Sequence, residues 1–114
     1  MSCGQRGAAY GPRAIRADER ILPNVPAAFQ NPDTRVKPFE VLKVVDYGDA
    51  AVDPFSIEAS MGPIRELVRE VAETGALPFV LGGDHSILWP NAAAVADVHG
   101  AGNVGVIHQI GRAS

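Results

Sequence analysis

Leu77-Pro78-Phe79-Val80-Leu81-Gly82-Gly83-Asp84-His85-Ser86 decides how this chain is read. A short uncharged apolar run bounded by glycines reads as a buried strand. Gly82 and Gly83 then let the backbone turn through φ values that other residues avoid. A helical pattern opens at Ile87. His85 therefore sits at the carboxyl end of a buried strand, where open α/β sheets place their ligands. A neutral imidazole there is a good ligand for a divalent metal.

Working outward, the pattern repeats on both sides. Upstream, Val41-Leu42-Lys43-Val44-Val45 reads as a second buried strand, ended by Asp46-Tyr47-Gly48-Asp49. Asp53 followed by Pro54 predicts a helix start, with the aspartate as N-cap and the proline at the first helical position. Ile57, Met61, Ile64, Val68 and Val71 follow at spacings of 4, 3, 4 and 3, one face of an amphipathic helix that Gly75 ends. Arg69 and Glu73 form a weak i,i+4 pair on its outer side. Downstream, Pro90 and Gly100 bracket a helix over about Trp89–Val98, and Val104–Ile107 reads as a third strand. Strands alternating with helical crossovers predict an α/β fold with a parallel sheet.

The amino-terminal part is less regular. A short helix is predicted from Pro12 to about Glu19. Pro23, Pro26, Pro32 and Pro38 make residues 21–38 an irregular connection.

Composition bounds the function. The 114 residues are 46% hydrophobic and 20% charged, as in a globular chain of one domain or part of one. The net charge of −3, with basic residues scattered among acids, gives no footprint for nucleic acid. Cys3 is the single cysteine, so no internal disulfide forms. No apolar run reaches the roughly 20 residues needed to cross a bilayer. The first residues lack the apolar stretch of a secretory signal. The expected location is the cytoplasm.

Strands of a parallel sheet end on one side. That edge would carry Asp46 and Asp49, Asp84 and His85, and His108. Such a set is a candidate site for a divalent cation. Asp46 and Asp49 read rather as turn or helix caps, and His108 as a packed or hydrogen-bonded histidine. The glycine turn could also cradle phosphate at a helix start, although neither GxGxxG nor GxxxxGK[ST] is present. Ser86 beside His85 lacks the G-x-S-x-G elbow of a serine nucleophile. Cys3 is a weaker nucleophile still. Trp89 and Met61 read as core residues.

Val80-Leu81-Gly82-Gly83-Asp84-His85-Ser86 resembles the first metal-binding signature of the ureohydrolase family, which comprises arginases, agmatinases and related guanidino-hydrolases. Arg6-Gly7-Ala8-Ala9-Tyr10-Gly11-Pro12-Arg13-Ala14-Ile15-Arg16 is similar to the early segment of its agmatinase-like branch. Val45-Asp46-Tyr47-Gly48-Asp49 resembles that branch's strand ending in Asp-x-Gly-Asp. Asn103-Val104-Gly105-Val106-Ile107-His108 resembles the strand leading to the second signature. The resemblance covers roughly residues 5–108.

It implies a three-layer α/β/α fold with a parallel sheet, incomplete here, and a binuclear manganese (Mn²⁺) site. Two such ions bridge a hydroxide that attacks a guanidinium carbon and releases urea. His85 is by this resemblance a metal ligand, Asp84 its neighbour, and Asp46 and Asp49 structural. The second signature, Asp-Ala-His-x-Asp, should begin at position 110, where this chain has Ile110-Gly111-Arg112-Ala113-Ser114. His85 is thus the only one of the family's metal ligands present, and no catalytic residue is assigned. Residues 1–108 are read as the N-terminal part of a single ureohydrolase domain and 109–114 as an unrelated tail.

The expected function is that of a fragment of a manganese-dependent, agmatinase-like hydrolase acting on a guanidino compound such as agmatine, inactive by itself. The expected partners are a small guanidino substrate and, as in the family, further copies in a trimer or hexamer. Neither nucleic acid nor membrane is expected. One alternative is a non-catalytic fragment that associates with full-length subunits. Another is a small α/β module for phosphate or nucleotide.

Overall fold

The apolar stripe of Ile57, Met61, Ile64, Val68 and Val71 folds as the longest helix of the computed structural model, which describes residues 6–17 and 30–109. Four helices are described: α1 (Gly11–Ala17), α2 (Pro38–Val41), α3 (Ile57–Glu73) and α4 (Leu88–His99). Single 3-10 turns, Arg6–Tyr10 and His85–Ile87, precede α1 and α4. The predicted end of α1 near Glu19, Cys3, residues 18–29 and Ile110–Ser114 lie outside the described residues.

The helix start differs from the sequence reading. Asp53 does not cap α3. Its Oδ1 accepts the Phe55 N–H at 2.8 Å, making a local turn, and Ser56 three residues later is the cap. Ser56 Oγ accepts the Ala59 N–H at 3.1 Å. A short side chain with a free oxygen serves at either place, and the turn consumes the first one. Pro63 lies inside α3 without ending it. At the far end Gly75 adopts φ +78 and donates to the Ala72 carbonyl at 3.0 Å. Arg69 and Glu73 lie 3.6 Å apart along the helix.

Helices α3 and α4 pack on each other and hold the core. Ile64 and Val68 meet the fully buried Ala94, with Ala50, Val52, Ile87 and Val95 around them. The small Ala94 side chain lets the two helices approach closely. Pro90 is fully buried one turn earlier. Arg65 on α3 clasps Asp97 on α4 with two bonds of 2.7 Å. The same guanidinium lies 6.0 Å over the Trp89 ring. Trp89 is exposed, so the expectation that it belongs to the core is corrected.

The expected strands do not pair. Val41 closes the turn α2, and residues 42–50, 76–82 and 104–109 run outside any helix or sheet. Among the described residues the only bridge is an isolated antiparallel one between Asp53 and Ser56. The predicted parallel sheet is therefore absent from the described residues. Parallel sheets are stable when both faces are covered. Here α3 and α4 cover one side only. An open groove of about 300 Å³, bordered by Val68, Leu88, Val95, Pro78, Val80 and Val104, separates these helices from the extended segments. Apolar runs in a sequence report burial, and burial on the second side is lacking.

Candidate functional site

The extended segment 76–82 delivers Asp84 and His85 at its end. Asp84 has extended φ and ψ and caps the turn His85–Ile87. Its Oδ1 accepts the Ser86 N–H at 3.0 Å and the Ser86 hydroxyl at 2.5 Å. The Ser86 hydroxyl, and next the Ser86 amide, hold the Asp84 carboxyl below the usual aspartate range. Ser86 thus donates to Asp84, which leaves the hydroxyl without the histidine partner a nucleophile needs.

His85 is exposed and stacks on His108, with ring centroids 4.8 Å apart and planes at 25°. His108, expected as a packed or hydrogen-bonded histidine, is itself exposed and has this ring as its neighbour. The two segments expected to be strands thus end side by side, even without a ladder between them.

Gly82 and Gly83 have a different role from the one expected. Neither is among the glycines with positive φ, which are Gly48, Gly75, Gly100 and Gly102. What they provide is room. A Cβ on Gly82 would run into the Ile87 side chain, and one on Gly83 would overlap the backbone of Ala8. The turn Arg6–Tyr10 therefore lies directly on Gly83, two residues before His85.

Asp46 and Asp49 are turned to another partner. Arg16 in the last turn of α1 donates from Nε to Asp46 Oδ2 at 2.6 Å and from Nη2 to Asp46 Oδ1 at 3.0 Å. Its Nη1 reaches Asp49 Oδ2 at 2.8 Å. Asp46 also accepts the Gly48 N–H at 2.9 Å, where Gly48 adopts φ +95. The Gly48 amide first, then the Arg16 guanidinium, lower the Asp46 pKa. Asp49 and next Asp46 raise that of Arg16. The cluster ties the amino-terminal helix to the end of segment 42–50. Sequence reasoning missed the role of Arg16. Its available signal was the pair of carboxylates in Asp-Tyr-Gly-Asp, a spacing that suits a guanidinium fork.

The five groups expected at one edge thus separate into three pairings: Arg16 with Asp46 and Asp49, Asp84 with Ser86, and His85 with His108. Among the described residues no group of three or more His, Cys, Asp or Glu side chains could hold a metal ion.

The sequence profile of the Arginase family matches residues 1–109. The chain belongs to the arginase family. Within it, the chain is 40% identical over 102 residues to the mitochondrial guanidino acid hydrolase of Rattus norvegicus, covering 90% of this chain and 27% of that protein. Identity to the mitochondrial agmatinase of Gallus gallus is 39%, covering 90% of this chain and 28% of that one. Identity to the guanidinobutyrase of Pseudomonas aeruginosa is 35%, covering 90% and 30%. This arginase-family chain therefore spans between a quarter and a third of the length of these curated relatives. No solved structure matches it. The family implies an α/β fold, of which the described residues show the helices and three unpaired extended segments.

Proposed function

We propose that this chain carries the first metal-binding histidine, His85, of a manganese-dependent, agmatinase-like ureohydrolase. The reaction is hydrolysis of a guanidino compound such as agmatine to an amine and urea. Membership of the arginase family is the observation that carries the reading. The printed names of the relatives, a guanidino acid hydrolase, an agmatinase and a guanidinobutyrase, share the guanidino group and differ at the other end of the substrate. The class of substrate is therefore proposed and the particular one is left to experiment. The full fold is proposed to be a three-layer α/β/α sandwich, with segments 42–45, 77–81 and 104–107 as parallel strands.

The described residues alone do not fit a binuclear manganese centre. His85 and His108 offer imidazole nitrogens, and Mn²⁺ calls for several oxygen donors. The Asp84 carboxylate is engaged by Ser86, and Asp46 and Asp49 by Arg16. No catalytic step is derived through the metal for this chain, and it is proposed to release no urea by itself.

A graft tests both halves of the reading. Residues 1–109 replace the matching part of the rat guanidino acid hydrolase, and urea release is followed with manganese. The expected result is activity in the graft that falls to background with His85→Ala, and none from the 114-residue chain alone. A folded, manganese-loaded graft that releases no urea from agmatine, guanidinobutyrate or guanidinopropionate sinks the proposal. Urea release by the unaltered chain above its His85→Ala variant would refute its inactivity.

A further inference from the structure

Residues 6–17 form an unbroken helical strap, in which the 3-10 turn Arg6–Tyr10 runs directly into α1. No residue of α1 is buried. Packing into the core therefore does not hold the strap, and the contacts near its two ends do. Toward its start, the Ala8 backbone occupies the space that a side chain on Gly83 would take. Gly11 also faces Gly83, since a Cβ on Gly11 would lie 3.7 Å from the Gly83 Cα. At its far end Arg16 grips Asp46 with two bonds and Asp49 with one.

The two anchors belong to different parts of the fold. Gly83 follows the extended segment 76–82, and Asp46 and Asp49 lie at the end of segment 42–50. The strap thus bridges the carboxyl ends of two extended segments. It is stiff enough to do so. Its backbone is helical from end to end, and Pro12 fixes φ at the start of α1. A guanidinium that reaches two separate carboxylates fixes a direction as well as a distance.

Gly83 is two residues from His85, and the intervening Asp84 caps the turn that carries the imidazole. His85 in turn stacks on His108, at the end of the third segment. Both rings are exposed, so no surrounding core holds them face to face. Their pairing depends on where the backbone sets each ring. We propose that Arg16 is a positioning residue, which through the strap and its seat on Gly83 holds the His85 ring against His108. The use of this ring in hydrolysis rests on the function proposed above, whereas its placement by Arg16 does not.

The test uses the 114-residue chain and two readouts: nuclear Overhauser cross-peaks between the two imidazole rings, and exchange of the Ser86 amide, which donates to Asp84. Arg16→Gln should remove the cross-peaks. It should also speed Ser86 exchange by about 2- to 5-fold, the size a solvent-exposed ion pair gives. Arg16→Lys should fall between the parent and Arg16→Gln. Arg65→Gln removes a fork of the same kind, between α3 and α4, and should leave both readouts unchanged. Gly83→Ala displaces Ala8 from its seat, and in that background Arg16→Gln should add nothing further at Ser86. Helix content by circular dichroism should be equal in the parent and both Arg16 variants. Cross-peaks that persist in Arg16→Gln, an equal loss in Arg65→Gln, full additivity with Gly83→Ala, or a loss of helix content in Arg16→Gln each overturns the proposal. None of these readouts involves urea, so an inactive graft would sink the proposed function and leave this inference standing.

Discussion

Arg16 holds both carboxylate oxygens of Asp46, at 2.6 and 3.0 Å, across thirty positions of sequence. A guanidinium fork makes this bidentate grip, and an ammonium cannot. The same fork reaches Asp49. The whole cluster is solvent-exposed, so salt screens it.

Arg16→Lys should therefore loosen the tie while keeping the charge. Amide exchange at 46–49 and in α1 should become faster, and 1 M salt should bring the parent protein toward the variant. Equal exchange in both proteins at low salt would show that the fork does not hold α1 in place.

The depressed carboxylates set the acid side of the stability profile. Asp46, Asp84 and Asp97 all have pKa values lowered in the fold. Their contribution is full above the ordinary aspartate value and is lost as pH falls through the lower folded values. Thermal midpoints should be flat near neutrality and decline below about pH 4. Asp46→Asn should remove part of that decline. A variant with an acid limb identical to the parent's would refute the assignment.

The glycine pair predicts an asymmetry. Gly83→Ala places a methyl group against the backbone of Ala8, which has little freedom to move. Overpacking of this kind costs about 1–3 kcal/mol. Gly82→Ala meets the Ile87 side chain, its Cδ1 first and then both γ carbons, but no backbone. Limited proteolysis should cut the amino-terminal segment faster in the Gly83 variant than in the Gly82 variant. The reverse order would show that backbone approach is not what Gly83 supplies.

The cap of α3 predicts a local effect. Ser56→Ala removes the acceptor for the Ala59 N–H and should cost about 1 kcal/mol. Asp53→Ala should cost less at the helix, since its carboxylate serves Phe55 in the preceding turn. Denaturant midpoints of the two variants measure the difference, and equal losses would mean that both side chains share the cap.

Much of the helical layer was legible in the sequence. The spacing from Ile57 to Val71 marked α3, and Pro90 with Gly100 marked α4 within a residue or so. The start of α3 was misplaced because two capping side chains, Asp53 and Ser56, stand three residues apart and only their hydrogen bonds tell them apart. The expected strands stay unpaired among the described residues for a different reason. Val41–Val45, Leu77–Leu81 and Val104–Ile107 are apolar enough for a sheet, but a ladder needs a cover on its second face that no local pattern supplies. At the site, the common edge was legible in so far as His85 and His108 meet. A structural role for Asp46 and Asp49 was also legible, but not their partner Arg16, which lies in a helix far upstream.

The seat of Ala8 on Gly83 also orders events during synthesis. Residues 6–10 are made before Gly83, yet the backbone of Ala8 packs on that glycine, 75 positions later. At about 5–20 residues per second, this segment waits several seconds before its binding surface exists. The turn Arg6–Tyr10 thus cannot take its place on Gly83 until well after it has been made.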